Sequence, residues 1–243
     1  MENISDRFRF KQFGIYQKKS AMKVGTDSVL LGCFAGNGKE DHILDIGTGT
    51  GILALMMAQK TNALVDAVEI DEATYKEARE NFHNSDWIEQ LNSFHSSIQD
   101  FECIENDYDL IITNPPYFKT ENNFAIQNEV RAKARQDEYL SFDVLCEEVK
   151  NRLCDEGYFW TILPKNEAAE FIIIAEKYQL FLFKQIQIKP KPSKDYNRLV
   201  MCFVKHKCDT QHEVFTIYED NGNPTEEYYQ LTKDFLLWEG RGV

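Results

Sequence analysis

With 243 residues, 43% of them hydrophobic and 28% charged, the chain can bury a substantial core and has the make-up of an ordinary soluble globular protein. Its longest apolar stretches, such as FIIIA (171–175) and YFWTIL (158–163), are too short to cross a bilayer. The N-terminal MENISDRFRF has no apolar signal-peptide core, so a cytoplasmic location is expected.

Charge is unevenly spread along the chain. The net charge of −13 argues in sum against a nucleic-acid partner. Residues 64–109 carry thirteen acids against Lys76 and Arg79, whereas Arg7, Arg9, Lys11, Lys18, Lys19 and Lys23 face only Asp27 within 7–27. Between 184 and 207, Lys184, Lys189, Lys191, Lys194, Arg198, Lys205 and Lys207 stand against Asp195. Such segregation describes either a basic face on an acidic body or solvated loop charge. The six cysteines (Cys33, Cys103, Cys146, Cys154, Cys202, Cys208) form no C-x-x-C pair, so free thiols and no metal are expected.

In chain order, FRFKQFGIYQ is a short β-rich piece and DSVLLGCFA an amphipathic segment. Phe8, Phe10, Phe13 and Tyr16 alternate with basic residues there, a pattern open to base stacking or to core packing. HILDIG, LVDAVEI, NSFHSS and YDLIIT read as strands separated by the helical stretches GILALMMAQKT and EATYKEARENFH. Two helices follow, NFAIQNEVRAKARQ and SFDVLCEEVKNRLC, the second capped by Ser141 and ending at Gly157. Then come YFWTILP, a helix in NEAAEFIIIAEKY, and a closing hairpin of LFLFKQIQI and RLVMCFVKH around KPKPSKDYN. The tail DNGNPTEEYYQLTKDFLLWEGRGV reads as a loop and a helix packing by Tyr228, Leu231, Phe235 and Trp238.

Strands alternating with helices predict an α/β, Rossmann-like, doubly wound sheet, seven-stranded and mainly parallel, with a C-terminal antiparallel hairpin. One domain over 1–243 is expected: an N-terminal appendage at 1–40, a core at 41–207 and a C-terminal extension at 208–243.

LDIGTGTGIL (44–53) is a strand, a glycine-rich turn and a helix. Gly47, Gly49 and Gly51 let backbone approach a ligand, and Glu69, ending the second strand, can accept from ribose hydroxyls. A nucleoside cofactor follows, either a nicotinamide dinucleotide or S-adenosyl-L-methionine. The G-x-G-x-G spacing and Asp45 favour the second: a carboxylate there suits a cationic ligand end and repels a pyrophosphate. Ile70 would flank the nucleoside, Asp100 would accept from an adenine amino group, and Phe101 would cover the ring.

Directly after YDLIIT stands NPPY, Asn114, Pro115, Pro116 and Tyr117. The whole arrangement resembles the class I S-adenosylmethionine-dependent methyltransferases, in which this motif marks methylation of a planar exocyclic or amide nitrogen. The resemblance implies that the Asn114 and Pro115 carbonyls accept the hydrogens of such an amine and that Tyr117 stacks on the base. MKVGTDSVLLG, NPPYF followed by RAKAR, and KPKPSKDYNRLV are similar to the bacterial enzymes that methylate N6 of adenine 37 in valine tRNA. That likeness implies a tRNA partner, a monomer, and Gly25, Thr26 and Asp27 near the methionine end of the cofactor. Arg131, Lys133, Arg135, Lys189, Lys191, Lys194 and Arg198 would meet RNA phosphates. Ribosomal RNA or a protein glutamine are the alternative substrates. A non-catalytic RNA-binding relative of this fold is the reading from another class.

Overall fold

A computed structural model describes residues 7–20, 22–102, 108–116 and 140–238. Tyr117 and the expected helix carrying Arg131, Lys133 and Arg135 lie outside the described residues. The first central strand, β3 (His42–Ile46), is followed by α2 (Ile52–Lys60), β4 (Leu64–Glu69), α3 (Glu72–His83) and β5 (Leu91–His95). Then come β6 (Tyr108–Thr113), α4 (Phe142–Arg152), β7 (Leu153–Pro164), α5 (Lys165–Lys177), β8 (Phe181–Lys189), β9 (Arg198–Val204), β10 (Gln211–Thr216) and α6 (Glu226–Thr232). Before them stand β1 (Arg7–Arg9), β2 (Gly14–Tyr16) and α1 (Thr26–Phe34).

The large sheet runs β10-β8-β9-β7-β6-β3-β4-β5. β3 through β7 are parallel, and β9 is antiparallel to both β7 and β8, which forms the expected hairpin. Four of the five residues of β3, and five of the six of β6, are buried, as strands covered on both faces require. The chain winds outward from β3 through β4 to β5, then returns to lay β6 on the other side of β3. A crevice opens at that reversal, outside the carboxyl ends of the two strands.

Two details differ from the sequence reading, and a third decides between alternatives it left open. The sheet has eight strands rather than seven, because β10 pairs in parallel with β8 along the edge. QHEVFT buries only Phe215 fully, so its apolar alternation is faint. Second, α4 stops at Arg152, and Gly157 lies within β7, which begins at Leu153. The register against β6 jumps from Tyr108↔Leu153 to Leu110↔Tyr158, so the polar CDE stretch interrupts the pairing without ending the strand. The Ser141 cap is as expected, its hydroxyl accepting from the Val144 N–H at 3.2 Å. Third, Phe10 and Phe13 are buried and stack at 4.5 Å, so core packing accounts for them.

The N-terminal pair β1–β2 is fastened at two places. The Lys11 N–H donates to the Phe235 carbonyl at 2.8 Å, joining the two ends of the described chain. The buried Glu77 carboxylate of α3 accepts from the Lys18, Lys19 and Ser20 N–H groups at 2.6, 2.8 and 2.9 Å. Asn81, one turn on, bonds both the N–H and the carbonyl of Tyr16 and donates to the Thr50 carbonyl at 2.9 Å. Thus α3 pins the segment leading into α1 against the glycine-rich turn. Glu77→Ala orphans three amides and should cost about 2–3 kcal/mol in urea unfolding, with Glu77→Gln losing less. A loss under about 1 kcal/mol would show that other contacts hold this segment.

Candidate active site

Two loops leave the sheet side by side at the crevice. The Thr113 hydroxyl donates to the Ile46 carbonyl at 2.8 Å, which ties the end of β6 to the end of β3. From that tie the glycine-rich turn departs one way and Asn114-Pro115-Pro116 the other.

Within the turn the glycines do different work. Gly47 and Gly49 have φ of +67° and +58°, and a Cβ on either would meet nothing within 4 Å. Backbone geometry demands glycine there, and the space beside both is open. Gly51 is left-handed as well, at φ +82°, and a Cβ there would run into the Phe82 ring, so this glycine also serves close packing on α3. Glu69 is nearly buried and braces the turn, its Oε2 accepting from Gly49 N–H and its Oε1 from Asp71 N–H, both at 2.9 Å. Each oxygen keeps a second lone pair for a ligand hydroxyl. Ile70 beside it is 57% exposed, an apolar surface next to this carboxylate.

Asp45 has no exposed surface. Its Oδ2 accepts from the Thr48 hydroxyl at 2.6 Å and from Ala54 N–H at 3.2 Å, while Oδ1 has no partner among the described residues. An orphaned carboxylate oxygen behind an open glycine turn is suited to a cationic ligand group. Asp100 is exposed and accepts from the Ser97 hydroxyl at 2.7 Å. Phe101 is only 5% exposed and packs on Phe94 in the core at 4.8 Å between ring centroids, so its ring backs this loop rather than standing open over it.

Across the crevice, the Asn114 side chain donates from Nδ2 to Ser28 Oγ at 2.9 Å. Asn114 Oδ1 is buried and has no partner among the described residues. Pro115 is buried and Pro116 exposed. Gly25 caps α1 and Thr26 opens it, while Asp27 Oδ2 accepts from Arg198 Nε at 2.9 Å. Ser28 escaped the sequence reading, which stopped at Asp27; its neighbour across the crevice lies 86 residues away.

Strand register places the basic hairpin. Thr113 is level with Thr161 of β7, and Pro164 is level with Arg198 of β9. The 190–197 linker therefore leaves the same edge of the sheet as Asn114. Lys194 is exposed there, Lys189 Nζ donates to the Pro192 carbonyl at 2.9 Å, and Lys191 reaches the Asp220 carbonyl at 3.5 Å. Arg198 departs from its expected role: its guanidinium is turned onto Asp27 and the Asn197 carbonyl instead of outward. Among the described residues no helix is long and apolar enough to cross a membrane, and no cluster has the ligands to hold a metal ion.

Burial pushes the Asp45 carboxyl up to about 7, the bonds from Thr48 and Ala54 opposing the rise and the charge of Glu69 adding to it. The folded state thus keeps a proton that the unfolded chain has released between 3.8 and about 7. Stability should fall as pH rises through that range and level off above it. Asp45→Asn should flatten this dependence in urea titrations; an unchanged slope would assign it to another group.

The family model described as "Methyltransferase small domain" matches residues 11–175. A protein of Flavobacterium psychrophilum is 39% identical over 233 residues, covering 95% of this chain and 99% of the relative. One from Pedobacter heparinus is 40% identical, covering 96% and 99%, and one from Haemophilus influenzae is 39% identical, covering 95% and 98%. All three are named tRNA1(Val) (adenine(37)-N6)-methyltransferase. Among solved structures, a predicted O-methyltransferase from Agrobacterium tumefaciens matches with a TM-score of 0.67 at 15% identity, covering 88% of this chain and 98% of that one, which shows the fold alone. On its sequence, its sheet order and its paired loops at the crevice, the chain belongs to the family of tRNA1(Val) (adenine(37)-N6)-methyltransferases.

Proposed function

We propose that the chain methylates N6 of adenine 37 in valine tRNA, using S-adenosyl-L-methionine, as a single-domain cytoplasmic monomer. The observation that carries this reading is the unpartnered Asn114 Oδ1, held at the strand reversal beside the glycine-rich turn. The residues of the turn fit the cofactor. Asp45 Oδ1 would meet its cationic methionine end, the spare lone pairs of Glu69 would take the ribose hydroxyls, and the exposed face of Ile70 would flank the adenine. Gly47 and Gly49 line the path of the ligand, Gly25 and Thr26 close the methionine side, and Asp100 accepts from the adenine amino group. When bound, the cofactor supplies an electrophilic methyl group carried on sulfonium sulfur.

The chain's own task is to make an adenine amine nucleophilic. Its lone pair is delocalised into the ring, so the nitrogen must be drawn out of plane. Asn114 Oδ1 and the Pro115 carbonyl accept the two amine hydrogens and turn the lone pair away from the ring. Consecutive prolines hold these acceptors with little freedom, so the geometry is fixed before the substrate arrives. Tyr117 stacks on the base once it has left its neighbours. No strong base is needed: as the methyl–sulfur bond breaks and leaves a neutral thioether, the nitrogen that takes the methyl would carry positive charge and would lose a proton to water.

Lys189, Lys191 and Lys194 on the hairpin linker, with Arg131, Lys133 and Arg135, supply phosphate contacts that position the tRNA without reading its sequence. Asn114→Ala should reduce label transfer from tritiated S-adenosyl-L-methionine to valine tRNA by about 100-fold or more, since it removes one of the two acceptors. Retained transfer would refute the assignment of Asn114. Lys191→Glu with Lys194→Glu should raise KM for tRNA about tenfold and make it less sensitive to salt, because fewer phosphate contacts release fewer counterions, while cofactor affinity holds. Equal loss of both affinities would contradict the division of surfaces.

A further inference from the structure

A carboxamide is chemically two-faced. One end accepts hydrogen bonds and the other donates two, and a half-turn about its last torsion exchanges them. For an amine whose hydrogens must be accepted, only one orientation works; the other would point N–H at N–H. Proline neighbours fix the backbone of Asn114 but leave this final torsion open.

We infer that Ser28 is the positioning residue that holds the Asn114 amide at one end and so aims its other end away from α1. Its Oγ accepts from Asn114 Nδ2 at 2.9 Å, which occupies the donor end and leaves Oδ1 as the end without a partner among the described residues. Ser28 is only 8% exposed, so little water is at hand to replace its hydroxyl. Its own place is set by the first turn of α1. Gly25 caps that turn, its carbonyl accepting from Val29 N–H at 3.2 Å, and the Asp27 carboxylate is paired with Arg198 of β9 at 2.9 Å. Asp27 and Arg198 are each about three-quarters buried in their side chains, which fixes the helix start against the sheet edge. A connected line thus runs from β9 through the start of α1 to the end of β6. Ser28 touches neither the transferred methyl nor the base; it acts through Asn114.

The inference rests on Asn114 being the amine acceptor, and the experiment separates the two. Cofactor affinity is measured by calorimetry, and kcat and KM with valine tRNA by label transfer, for wild type, Ser28→Ala, Ser28→Thr and Asn114→Ala. Inactive Asn114→Ala establishes the acceptor. Ser28→Ala should then lose about 10- to 100-fold in kcat, the range for misplacing one preorganised group, with cofactor affinity and tRNA KM within about twofold of wild type. Ser28→Thr, which keeps the hydroxyl, should recover most of kcat. Wild-type kcat in Ser28→Ala overturns the inference while the reading of Asn114 stands. A fall in cofactor affinity alongside kcat, or no recovery in Ser28→Thr, also overturns it, because either marks a packing role. Activity in Asn114→Ala defeats the underlying assignment and the inference with it.

Discussion

Two adjacent parallel strands that part company at the same level govern everything else in this molecule. β3 and β6 are tied at their carboxyl ends by the Thr113 hydroxyl on the Ile46 carbonyl, and only beyond that tie do their loops diverge. The glycine-rich turn and the Asn114-Pro115-Pro116 turn are thereby neighbours by construction. Their separation is set by strand spacing, which is the stiffest length in the fold. Neither loop has to find the other: each is the continuation of a strand buried on both faces.

The site carries a structural cost that the core absorbs. A carboxylate at Asp45 with one oxygen unpartnered among the described residues, and an amide oxygen at Asn114 in the same condition, are both unfavourable in an isolated fold. They persist because the surroundings over-determine them. Asp45 is gripped through its other oxygen, and Asn114 stands between a buried proline and a helix start. Polar groups left unsatisfied at one edge of an otherwise well-packed sheet mark where a polar ligand completes the bonding. Strain and function coincide here.

What the sequence made legible was whatever depended on neighbours in the chain. Strands β3 to β9, the Ser141 cap, the glycine turn and the Pro-Pro stop all announce themselves within ten residues. What it hid depended on partners far away. Gly51 looks like its fellow glycines until Phe82 of α3 is seen against it. Phe101 follows Asp100 and reads as a ring over a ligand, yet Phe94 draws it into the core. β10 is an edge strand with most of its side chains in water, so the alternation that betrays a strand is missing. Arg198 looked like one more cation in a basic run, and only the fold shows that Asp27, 171 residues earlier, claims it.

Charge follows the same edge of the sheet and resolves the apparent conflict between an acidic chain and an anionic substrate. At the carboxyl ends of β3, β4 and β5 and just beyond them stand Asp45, Glu69, Asp71 and Asp100. Over β8 and β9 the same edge presents Lys189, Lys191 and Lys194. The acidic half suits a cationic cofactor and the basic half suits a polyanion, with Asn114, just past β6, between them. Net charge sums these halves and loses the distinction, whereas a Debye length of about 8 Å at physiological salt keeps each half local. An overall charge of −13 therefore bears little on whether RNA can approach. The field at the rim near Asn114 decides that, where the lysines of the hairpin lie on one side and the carboxylates of β3 and β4 on the other.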